Sequence, residues 1–379
     1  MNYSVYQHWD PLKVCMVGRS YAPEFYSFIE NSYVRNVMER IAQETEEDYQ
    51  KLIKLLESFG VEILRPDCFS SVEESYDTFN NKFIISPPMT PRDDMAMIGN
   101  TLFLNQLPEF NLQYDLCKGS DWPSSCPDNI KNLPEWIIEE LGPDLFLNAG
   151  FFSKDRRHAY RNIVQHLEKC GTNIINADLS SANTTRIGKD LYHGHDPSYS
   201  REFNFNLYPE FNKYRIHNVT MDGHSDGNFC PVVPGLIISL NDVQEYKKTF
   251  PGWEVIYLPD QSWDKVKSFL DLKAKNKGKW WVPGEEFNDD FTNFVESWLG
   301  HWVGYVEETV FDVNMLVIDE KNVVCNNYNE EVFKTFDRYG ITPHVVNFRH
   351  RYFWDGGLHC ITSDIHREGT MKDYFPERG

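Results

Sequence analysis

The residues Gly356 to Cys360 bring several reactive or unusual residue types together, within the stretch WDGGLHCITSDIHREG (354–369). Cys360 could be a buried structural thiol, a metal ligand or a nucleophile, and most cysteines simply pack in the interior. The paired glycines Gly356 and Gly357 favour a functional thiol, because a backbone without side chains can approach a bound ligand closely. Cys360 is therefore the first candidate for a reactive residue.

Three other stretches are dense in groups that move protons or carry charge. They are TPRDDM (90–95), RIGKDLYHGHD (186–196) and MDGHSDGNF (221–229). Combined with a cysteine, such residues could form a catalytic group in which a thiolate attacks, a histidine moves protons and a carboxylate orients the histidine. Each stretch could also be an ordinary polar turn or the solvated end of a strand, since turns favour Asp, Gly and Ser.

A zinc site is the alternative use of the same residues. His193, His195 and His224 have carboxylates nearby in the sequence and could act as ligands. An HxH pair alone is a weak signal, and the chain has neither an HExxH motif nor a CxxC pair. We therefore favour the thiolate, and the metal stays open as an alternative.

The carboxylates in these stretches also bear on the substrate. Negative charge raises the pKa of a neighbouring thiol and so works against a thiolate nucleophile. A cationic substrate would supply the compensating charge. The 379 residues carry a formal net charge of −20, which would not repel such a substrate. Because this charge repels nucleic acid and anionic membranes, we discount both as partners and expect small-molecule substrates.

The eight cysteines occur singly, which is typical of free thiols in a reducing compartment. No apolar run approaches the roughly 18 residues that a spanning helix requires. The first residues, MNYSVYQHWD, lack the pattern of a signal peptide. We therefore expect a cytoplasmic protein, and we allow for a homodimer.

Short strands and single helices alternate along the chain and must position these residues. The stretch PLKVCMVGR predicts a strand at 11–19, and the spacing of apolar residues predicts a helix over 31–58 that ends before Gly60. RRHAYRNIVQHLEKCG and NEEVFKTFDRYG are two more predicted helices. Since the composition changes sharply nowhere, we predict one α/β domain over residues 1–379. Its helices are too few for a regular βαβα barrel.

Six motifs follow one another along almost the whole chain. They are HWDPLKVCMVGR (8–19), PRD (91–93) with a following strand and GN, RIGKD (186–190), GHSDGNF (223–229), NMLVIDEKNVV (314–324) and GGLHCITSDIHREGTMKDY (356–374). In this order they resemble the motifs of the arginine amidinotransferases, the glycine amidinotransferase branch of the guanidine-modifying pentein superfamily. The resemblance implies an α/β fold that is a five-bladed propeller of ββαβ modules around a central polar active site. It implies no metal and no organic cofactor.

The resemblance also implies roles for individual residues. Cys360 matches the nucleophile, His224 the general acid and base, and Asp190 the carboxylate that orients His224. Asp93 and Asp226 match the two carboxylates that bind the substrate guanidinium. These five residues form the predicted site.

The implied reaction transfers the amidino group of arginine to an amine. A guanidinium is planar and permanently charged, and two carboxylates can hold its N–H groups in forked pairs while its carbon faces sulfur. Attack by Cys360 would release ornithine and leave the amidino group on sulfur until an acceptor amine takes it, with ping-pong kinetics. With water as acceptor, the same residues would form a hydrolase that gives ornithine and urea or citrulline and ammonia. Without turnover, the protein would be a binding protein for arginine or a related cation.

Several positions depart from the family pattern. Val243 stands where the family has an arginine that binds the carboxylate of the donor, and Glu307 and Glu308 stand where it has serines. His366 and Glu368 replace more basic residues. These changes favour an acceptor, or even a donor, other than glycine and arginine, such as a polyamine-like, aminocyclitol-like or basic amino-acid partner.

Three further features stay undecided at this point. Lys247 or Lys248 could take the place of the missing arginine. Asp94 has no counterpart in the family pattern. The segment LCKGSDWPSSCPDNIKNLPEW (116–136) fits either a lid-like insertion or an ordinary surface loop.

Overall fold

The computed structural model describes most of the chain. The described residues are 3–72, 74, 86–105, 153–177, 179–195, 203–221, 223–240, 243–258, 282–285, 287–295, 299, 313–354 and 356–378. The segment 116–136 and the residues Glu307 and Glu308 lie outside these ranges.

Fifteen strands form five three-stranded sheets within the described residues. In chain order the strands are β1 (Leu12–Val17), β2 (Glu62–Leu64), β3 (Met95–Ile98), β4 (Thr101–Asn105), β5 (Asn173–Ala177), β6 (Thr184–Ile187), β7 (Asp190–His195), β8 (Arg215–Thr220), β9 (Phe229–Val233), β10 (Leu236–Ser239), β11 (Glu254–Tyr257), β12 (Leu316–Asp319), β13 (Asn322–Cys325), β14 (Thr342–Val345) and β15 (Thr362–Arg367). The sheets are β15–β1–β2, β3–β4–β5, β6–β7–β8, β9–β10–β11 and β12–β13–β14.

Helices connect the strands of these sheets. In chain order they are α1 (Ser32–Ser58), α2 (Pro91–Asp94), α3 (Ser153–Lys169), α4 (Tyr246–Thr249), α5 (Asp289–Phe294), α6 (Glu330–Tyr339) and α7 (Arg351–Trp354). In the described residues, the 3-10 helices Phe205–Leu207 and Pro209–Phe211 lie between β7 and β8. No helix in the described part of the chain is both long enough and apolar enough to span a membrane.

All five sheets have the same internal pattern. The first strand runs antiparallel to the second, and the third runs parallel to the second. A parallel partner requires a crossover connection, and α1, α3, α4 and α6 provide it in four sheets. The first sheet takes its first strand, β15, from the far end of the chain, so β1 pairs with β15 and closes the ring. The prediction of a five-bladed α/β propeller is confirmed.

Local sequence determines where the long helices begin and end. The Asn31 side chain accepts hydrogen bonds from the backbone N–H groups of Tyr33 and Val34, at 3.0 and 3.3 Å, and so caps α1. Gly60, at a φ of +74°, supplies the left-handed turn that follows the helix. An asparagine and a glycine cap α6 in the same way. The helix predicted over 31–58 therefore agrees with the structure.

A buried ionic cluster joins α2 to the first and third sheets. The carboxylate of Asp364 pairs with Arg92, Arg186 and Arg367 at 3.0, 2.8 and 2.8 Å, and all four side chains are at most 1% exposed. Burial alone would raise the pKa of Asp364, but the three guanidinium groups outweigh it and hold this pKa well below its usual range. Isolated buried charges are very costly, so the cluster requires all of its partners.

The same three arginines also bind backbone carbonyl groups. Arg186 donates to Met97 O, and Arg367 donates to Asp10 O and Val317 O. Arg92 donates through Nε to the carbonyl groups of His359 and Thr362, at 2.7 and 2.8 Å. The cluster thereby fixes the backbone on both sides of Cys360.

Candidate active site

Cys360 lies in the turn between α7 and β15, and it is 1% exposed. The side-chain nitrogen of Asn314 donates a hydrogen bond to the sulfur at 2.9 Å. One carboxylate oxygen of Asp226 lies 3.6 Å from the same sulfur. The structure thus brings the predicted nucleophile next to one of the two predicted guanidinium-binding carboxylates.

Asn314 holds the backbone of this turn as well as the sulfur. Its side-chain oxygen accepts hydrogen bonds from the backbone N–H groups of His359 and Cys360, at 2.8 and 3.3 Å. The residue is completely buried and comes two positions before β12. Asn314 was not among the predicted site residues, although it is the first residue of the motif NMLVIDEKNVV.

The paired glycines accommodate neighbouring protein atoms. A Cβ atom at Gly357 would overlap the side-chain oxygen of Asn314 and lie 2.7 Å from its Cγ. A Cβ atom at Gly356 would lie 3.0 Å from the Ile361 side chain and 3.1 Å from that of Thr90. The sequence suggested that these glycines make room for a ligand, whereas in the structure they make room for Asn314 and for close packing.

Asp226 lies in the 3-10 helix Ser225–Gly227 and is 5% exposed. Its Oδ2 accepts a hydrogen bond from His359 Nδ1 at 2.8 Å. Burial lowers the pKa of His359 well below its usual range, and the positive charge of Arg92 adds to this effect. His359 is therefore neutral at physiological pH, and the nitrogen that faces the carboxylate carries its single proton.

His224 and Asp93 form a second pair in the site. The Nδ1 atom of His224 lies 3.7 Å from Oδ1 of Asp93, and the two side chains are 33% and 29% exposed. His224 immediately precedes the 3-10 helix that carries Asp226, and its backbone carbonyl accepts a hydrogen bond from Asn228 at 2.8 Å. The structure thus places a partly exposed histidine beside a partly exposed carboxylate, next to the buried pair of Asp226 and His359.

The two adjacent carboxylates of the PRDD stretch have different surroundings. Asp93 faces His224, and its backbone carbonyl accepts a hydrogen bond from Asn105 at 2.9 Å. Asp94 is 3% exposed and accepts a hydrogen bond from the Tyr160 hydroxyl of α3 at 2.7 Å. This contact ties α2 to α3, so Asp94 has a structural role.

Asp190, which is predicted to orient His224, has its hydrogen-bond partners elsewhere in the third sheet and near the C-terminus. Asp190 is fully buried at the start of β7, where it binds Arg215, His217 and Arg378 at 2.6, 2.7 and 3.0 Å. Gly194 packs against Ser225, the residue after His224. Asp190 precedes Gly194 by four positions, which corresponds to about 13 Å along a strand.

The surroundings of Asp190 explain its burial. Burial by itself raises the pKa of Asp190, but hydrogen bonds from His217 and Arg215 outweigh it and lower this pKa. Arg378 reaches Asp190 from the C-terminal end of the chain and also donates to the Tyr192 hydroxyl at 2.8 Å. Asp190 therefore holds Arg378 against the third sheet, β6–β7–β8.

A small buried cavity lies behind Asp226 and His359. Its walls include His8, Ser181, Thr185, Asp226, Cys230 and His359. The rings of His8 and His359 are 5.8 Å apart, and His8 Nε2 accepts a hydrogen bond from the Arg186 backbone N–H at 3.2 Å. The back of the site is thus connected to the arginine cluster.

No group of three or more potential metal ligands occurs among the residues that the structure describes. His193, one of the candidates for zinc, is 6% exposed and packs edge-on against Phe205. Burial lowers the pKa of His193 to about 4, and the nearby His195 contributes. Its Nδ1 lies 3.3 Å from the Thr184 hydroxyl. This histidine has the surroundings of a packed core residue.

The positions that depart from the family pattern fall in different places. Val243 is half-buried and packs against an apolar cluster. Lys247 is exposed, and Lys248 pairs with Glu245 at the surface. His366 lies within hydrogen-bond distance of the Ser4 backbone, toward the end of β15 away from Cys360.

Glu368 forms a surface pair with Lys13 at 3.1 Å. His366 and Glu368 have their contacts with Ser4 and Lys13, away from the predicted site residues, so these two positions add no support for a changed acceptor. Val243, Glu307 and Glu308 remain as its basis.

The chain is similar to curated amidinotransferases, whereas no family model matches it. It is 23% identical over 413 residues to glycine amidinotransferase, mitochondrial, from Xenopus tropicalis, with 98% of this chain and 84% of the relative covered. The Gallus gallus protein of the same name is 24% identical over 417 residues, with the same coverage. L-arginine:L-lysine amidinotransferase from Pseudomonas savastanoi pv. phaseolicola is 26% identical over 204 residues, which cover 52% of this chain and 46% of that protein.

Solved structures share the fold. The structure of SxtG, an amidinotransferase from Microseira wollei in the saxitoxin biosynthetic pathway, matches with a TM-score of 0.62 at 16% identity and covers 99% of this chain and 100% of that one. Inosamine-phosphate amidinotransferase StrB1 from Streptomyces griseus matches with a TM-score of 0.58 at 18% identity, covering 98% and 99%. The five-sheet architecture is therefore that of known amidinotransferases.

Proposed function

Since the chain belongs to the amidinotransferase family and is glycine amidinotransferase-like, we propose that it transfers an amidino group from L-arginine, or from a related guanidine, to an amine. The observation that carries this proposal is the contact of 3.6 Å between the Cys360 sulfur and the Asp226 carboxylate. A carboxylate beside a thiol hinders thiolate formation, so the arrangement makes chemical sense when a cation binds between them.

Binding of the guanidinium is assigned to Asp226 and Asp93. The group presents N–H donors in one plane, and carboxylates accept such donors in forked pairs. Asp226 is buried and fixed by His359, whereas Asp93 is partly exposed beside His224. Held between them, the guanidinium would direct its central carbon at the sulfur of Cys360. Its positive charge would lower the pKa of the thiol as it binds.

The first half of the reaction forms the covalent intermediate. The Cys360 thiolate donates an electron pair to the guanidinium carbon and forms a C–S bond, which gives a tetrahedral adduct. The bond from this carbon to the side-chain nitrogen of ornithine then breaks, and His224 gives a proton to the departing amine. The amidino group stays on sulfur.

The second half returns the enzyme to its starting state. An acceptor amine attacks the amidino carbon, His224 takes a proton from it, and the C–S bond breaks with the electron pair returning to sulfur. We assign the carboxylate partner of His224 to Asp93, at 3.7 Å, and we assign no catalytic role to Asp190.

We propose an acceptor other than glycine. Val243, which stands in place of a carboxylate-binding arginine, packs against apolar side chains and offers no positive charge. Glu307 and Glu308 would repel a carboxylate and attract an amine. The Pseudomonas relative is named L-arginine:L-lysine amidinotransferase. A basic amino acid as the acceptor also fits the negative charges of Glu307 and Glu308. The cytoplasmic location and the homodimer remain predictions.

The test is a product analysis by mass spectrometry. The protein is incubated with arginine, alone and with glycine, lysine, a polyamine or an aminocyclitol, and all products are identified. Ornithine and an amidinated amine, formed only when an amine is present, support the proposal. Ornithine with urea, or citrulline with ammonia, in the absence of any amine would instead identify a hydrolase.

A Cys360→Ala variant provides the control for the mechanism. Wild-type protein treated with arginine alone should gain the mass of one amidino group on the peptide that contains Cys360, and the variant should not. Turnover by the variant would exclude Cys360 as the nucleophile. A glycine-dependent rate far above the rate with other amines would contradict the proposed acceptor class.

A further inference from the structure

We propose that Asn314 is a catalytic residue that stabilises the thiolate of Cys360 by donating a hydrogen bond to its sulfur. This inference rests on the proposed function, because it concerns Cys360 as the nucleophile. The contact is that between the Asn314 amide nitrogen and the sulfur at 2.9 Å. An amide nitrogen is a donor only, so the proton of this contact belongs to Asn314.

The orientation of the amide follows from its other partners. Two backbone N–H groups, those of His359 and Cys360, point at the side-chain oxygen of Asn314 at 2.8 and 3.3 Å. If the amide were rotated by half a turn, donors would face donors at both positions. The backbone therefore directs the –NH₂ group of Asn314 at the sulfur.

The position of the amide is fixed on its remaining sides. Asn314 is completely buried, and its backbone carbonyl accepts a hydrogen bond from the Asn326 side chain at 3.3 Å. Gly357 packs so closely against the side chain that no Cβ atom would fit there. Water cannot compete for the amide in such surroundings, and a buried hydrogen bond to a charged group is stronger than one in water.

The charge balance of the site gives this hydrogen bond its function. The Asp226 carboxylate at 3.6 Å disfavours a negative sulfur. A donor aimed at the sulfur stabilises the charged form and lowers the pKa of the thiol. Asn314 thus offsets part of the effect of Asp226 before the cationic substrate arrives.

The same donor acts in both halves of the proposed reaction. In the first half, it stabilises the thiolate that attacks. In the second half, the C–S bond breaks and its electron pair returns to sulfur, so the thiolate is the leaving group and regains the hydrogen bond. A variant without the donor should therefore be slower in both half-reactions.

The experiment compares Asn314→Asp with Asn326→Ala. The aspartate keeps an oxygen for the two backbone N–H groups but replaces the donor at the sulfur with a negative oxygen. Asn326→Ala removes a buried amide that touches the backbone of Asn314 and is not in contact with the sulfur. Asn314→Ala serves as a second variant that removes the donor without adding charge.

The measurement is the titration of Cys360, followed by the ultraviolet absorbance of the thiolate. Each protein is compared with the same protein carrying Cys360→Ser, so that the other seven cysteines and the tyrosines cancel. We expect the midpoint to rise by about one pH unit or more in Asn314→Asp. It should rise less in Asn314→Ala and stay unchanged in Asn326→Ala.

An unchanged midpoint in a folded Asn314→Asp protein would overturn the inference, even if that variant had lost activity, because Asn314 would then act only on the backbone. The titration requires no substrate. If wild-type protein fails to convert arginine, the proposed function fails, and the titration still decides whether Asn314 stabilises the thiolate.

Discussion

His359 and Asp226 are joined by a hydrogen bond of 2.8 Å between the imidazole Nδ1 and a carboxylate oxygen, in the buried part of the site. The imidazole is neutral, since its pKa lies well below the usual range. The carboxylate is therefore held in one direction without losing its negative charge. A protonated histidine in this place would compete with a cationic substrate for Asp226.

Replacement of His359 should weaken guanidine binding more than it slows the chemical steps. His359→Phe removes the donor and keeps a ring, whereas His359→Asn can place its amide nitrogen near the position of Nδ1. Hydrogen bonds to charged groups contribute about 1.5–3 kcal/mol, so KM for the guanidine should rise roughly 10- to 100-fold in His359→Phe. Steady-state kinetics of both variants, with recovery in His359→Asn, would establish this role. An unchanged KM in His359→Phe would refute it.

Asp190→Asn should lower stability and leave the reaction intact. The substitution removes the buried charge that binds Arg215, His217 and Arg378, and breaking such a group costs on the order of 3 kcal/mol. Urea unfolding measures this loss. At a temperature where the variant is folded, its kcat should lie within about twofold of the wild-type value, whereas Asp93→Asn should lose about 10²-fold or more. The reverse ranking of the two variants would restore Asp190 to the site.

Gly357→Ala should disturb the thiol through Asn314. The added methyl group would overlap the Asn314 side-chain oxygen and push the amide away from the sulfur. We expect a raised thiol pKa and a kcat lower by about tenfold, because the donor at the sulfur is lost. Gly356→Ala is the matched control, since its methyl group would meet only Ile361 and Thr90, at 3.0 and 3.1 Å. Equal effects of the two substitutions would indicate general crowding of the turn.

Acid should destabilise the protein before its carboxylates titrate. Burial lowers the pKa values of His8, His193 and His359 relative to the unfolded chain, so these groups bind protons only when the chain unfolds. The stability that these neutral histidines contribute is complete above the pKa of histidine in the unfolded chain, which is about 6.5. It is lost as the pH falls below that value. For His193, with a pKa of about 4 in the folded protein, the loss at about pH 5 is roughly 2 kcal/mol.

Urea unfolding at about pH 7.5 and pH 5 tests this dependence. His193→Gln should show a smaller difference between the two pH values than the wild-type protein. The control is His344→Gln, which replaces a half-buried histidine on β14. If wild-type stability were equal at both pH values, the three histidines would not be neutral in the folded state.

The fold could be predicted because short-range patterns and long-range motifs agree. Asn31 and Gly60 mark the ends of α1 in the sequence as well as in the structure, since capping and left-handed turns depend on local chemistry. The five-bladed arrangement came from the motif resemblance, because strand pairing between β1 and β15 leaves no local signal. The same resemblance placed Cys360 and Asp226 in one predicted site, and their side chains lie 3.6 Å apart.

The sequence is least informative about residues whose role depends on the third dimension. Asp190 is the last residue of the motif RIGKD, and the sequence does not distinguish a carboxylate in a site from one that is buried beside arginines. Asn314 was missed because an asparagine has no titratable group that would suggest catalysis. Arg92, Arg186 and Arg367 lie in recognised motifs, yet only the structure reveals that they share Asp364.

The pairing of β1 with β15 has a consequence for the order in which the protein is made. Cys360 comes two residues before β15, and the strand that completes the first sheet is translated more than 300 residues after its partner. Domains begin to fold while the ribosome is still extending them, and long-range strand pairing is slow. We therefore expect the turn that holds Cys360 to be completed only after β15 has been made, so the proposed site should be absent from shorter growing chains.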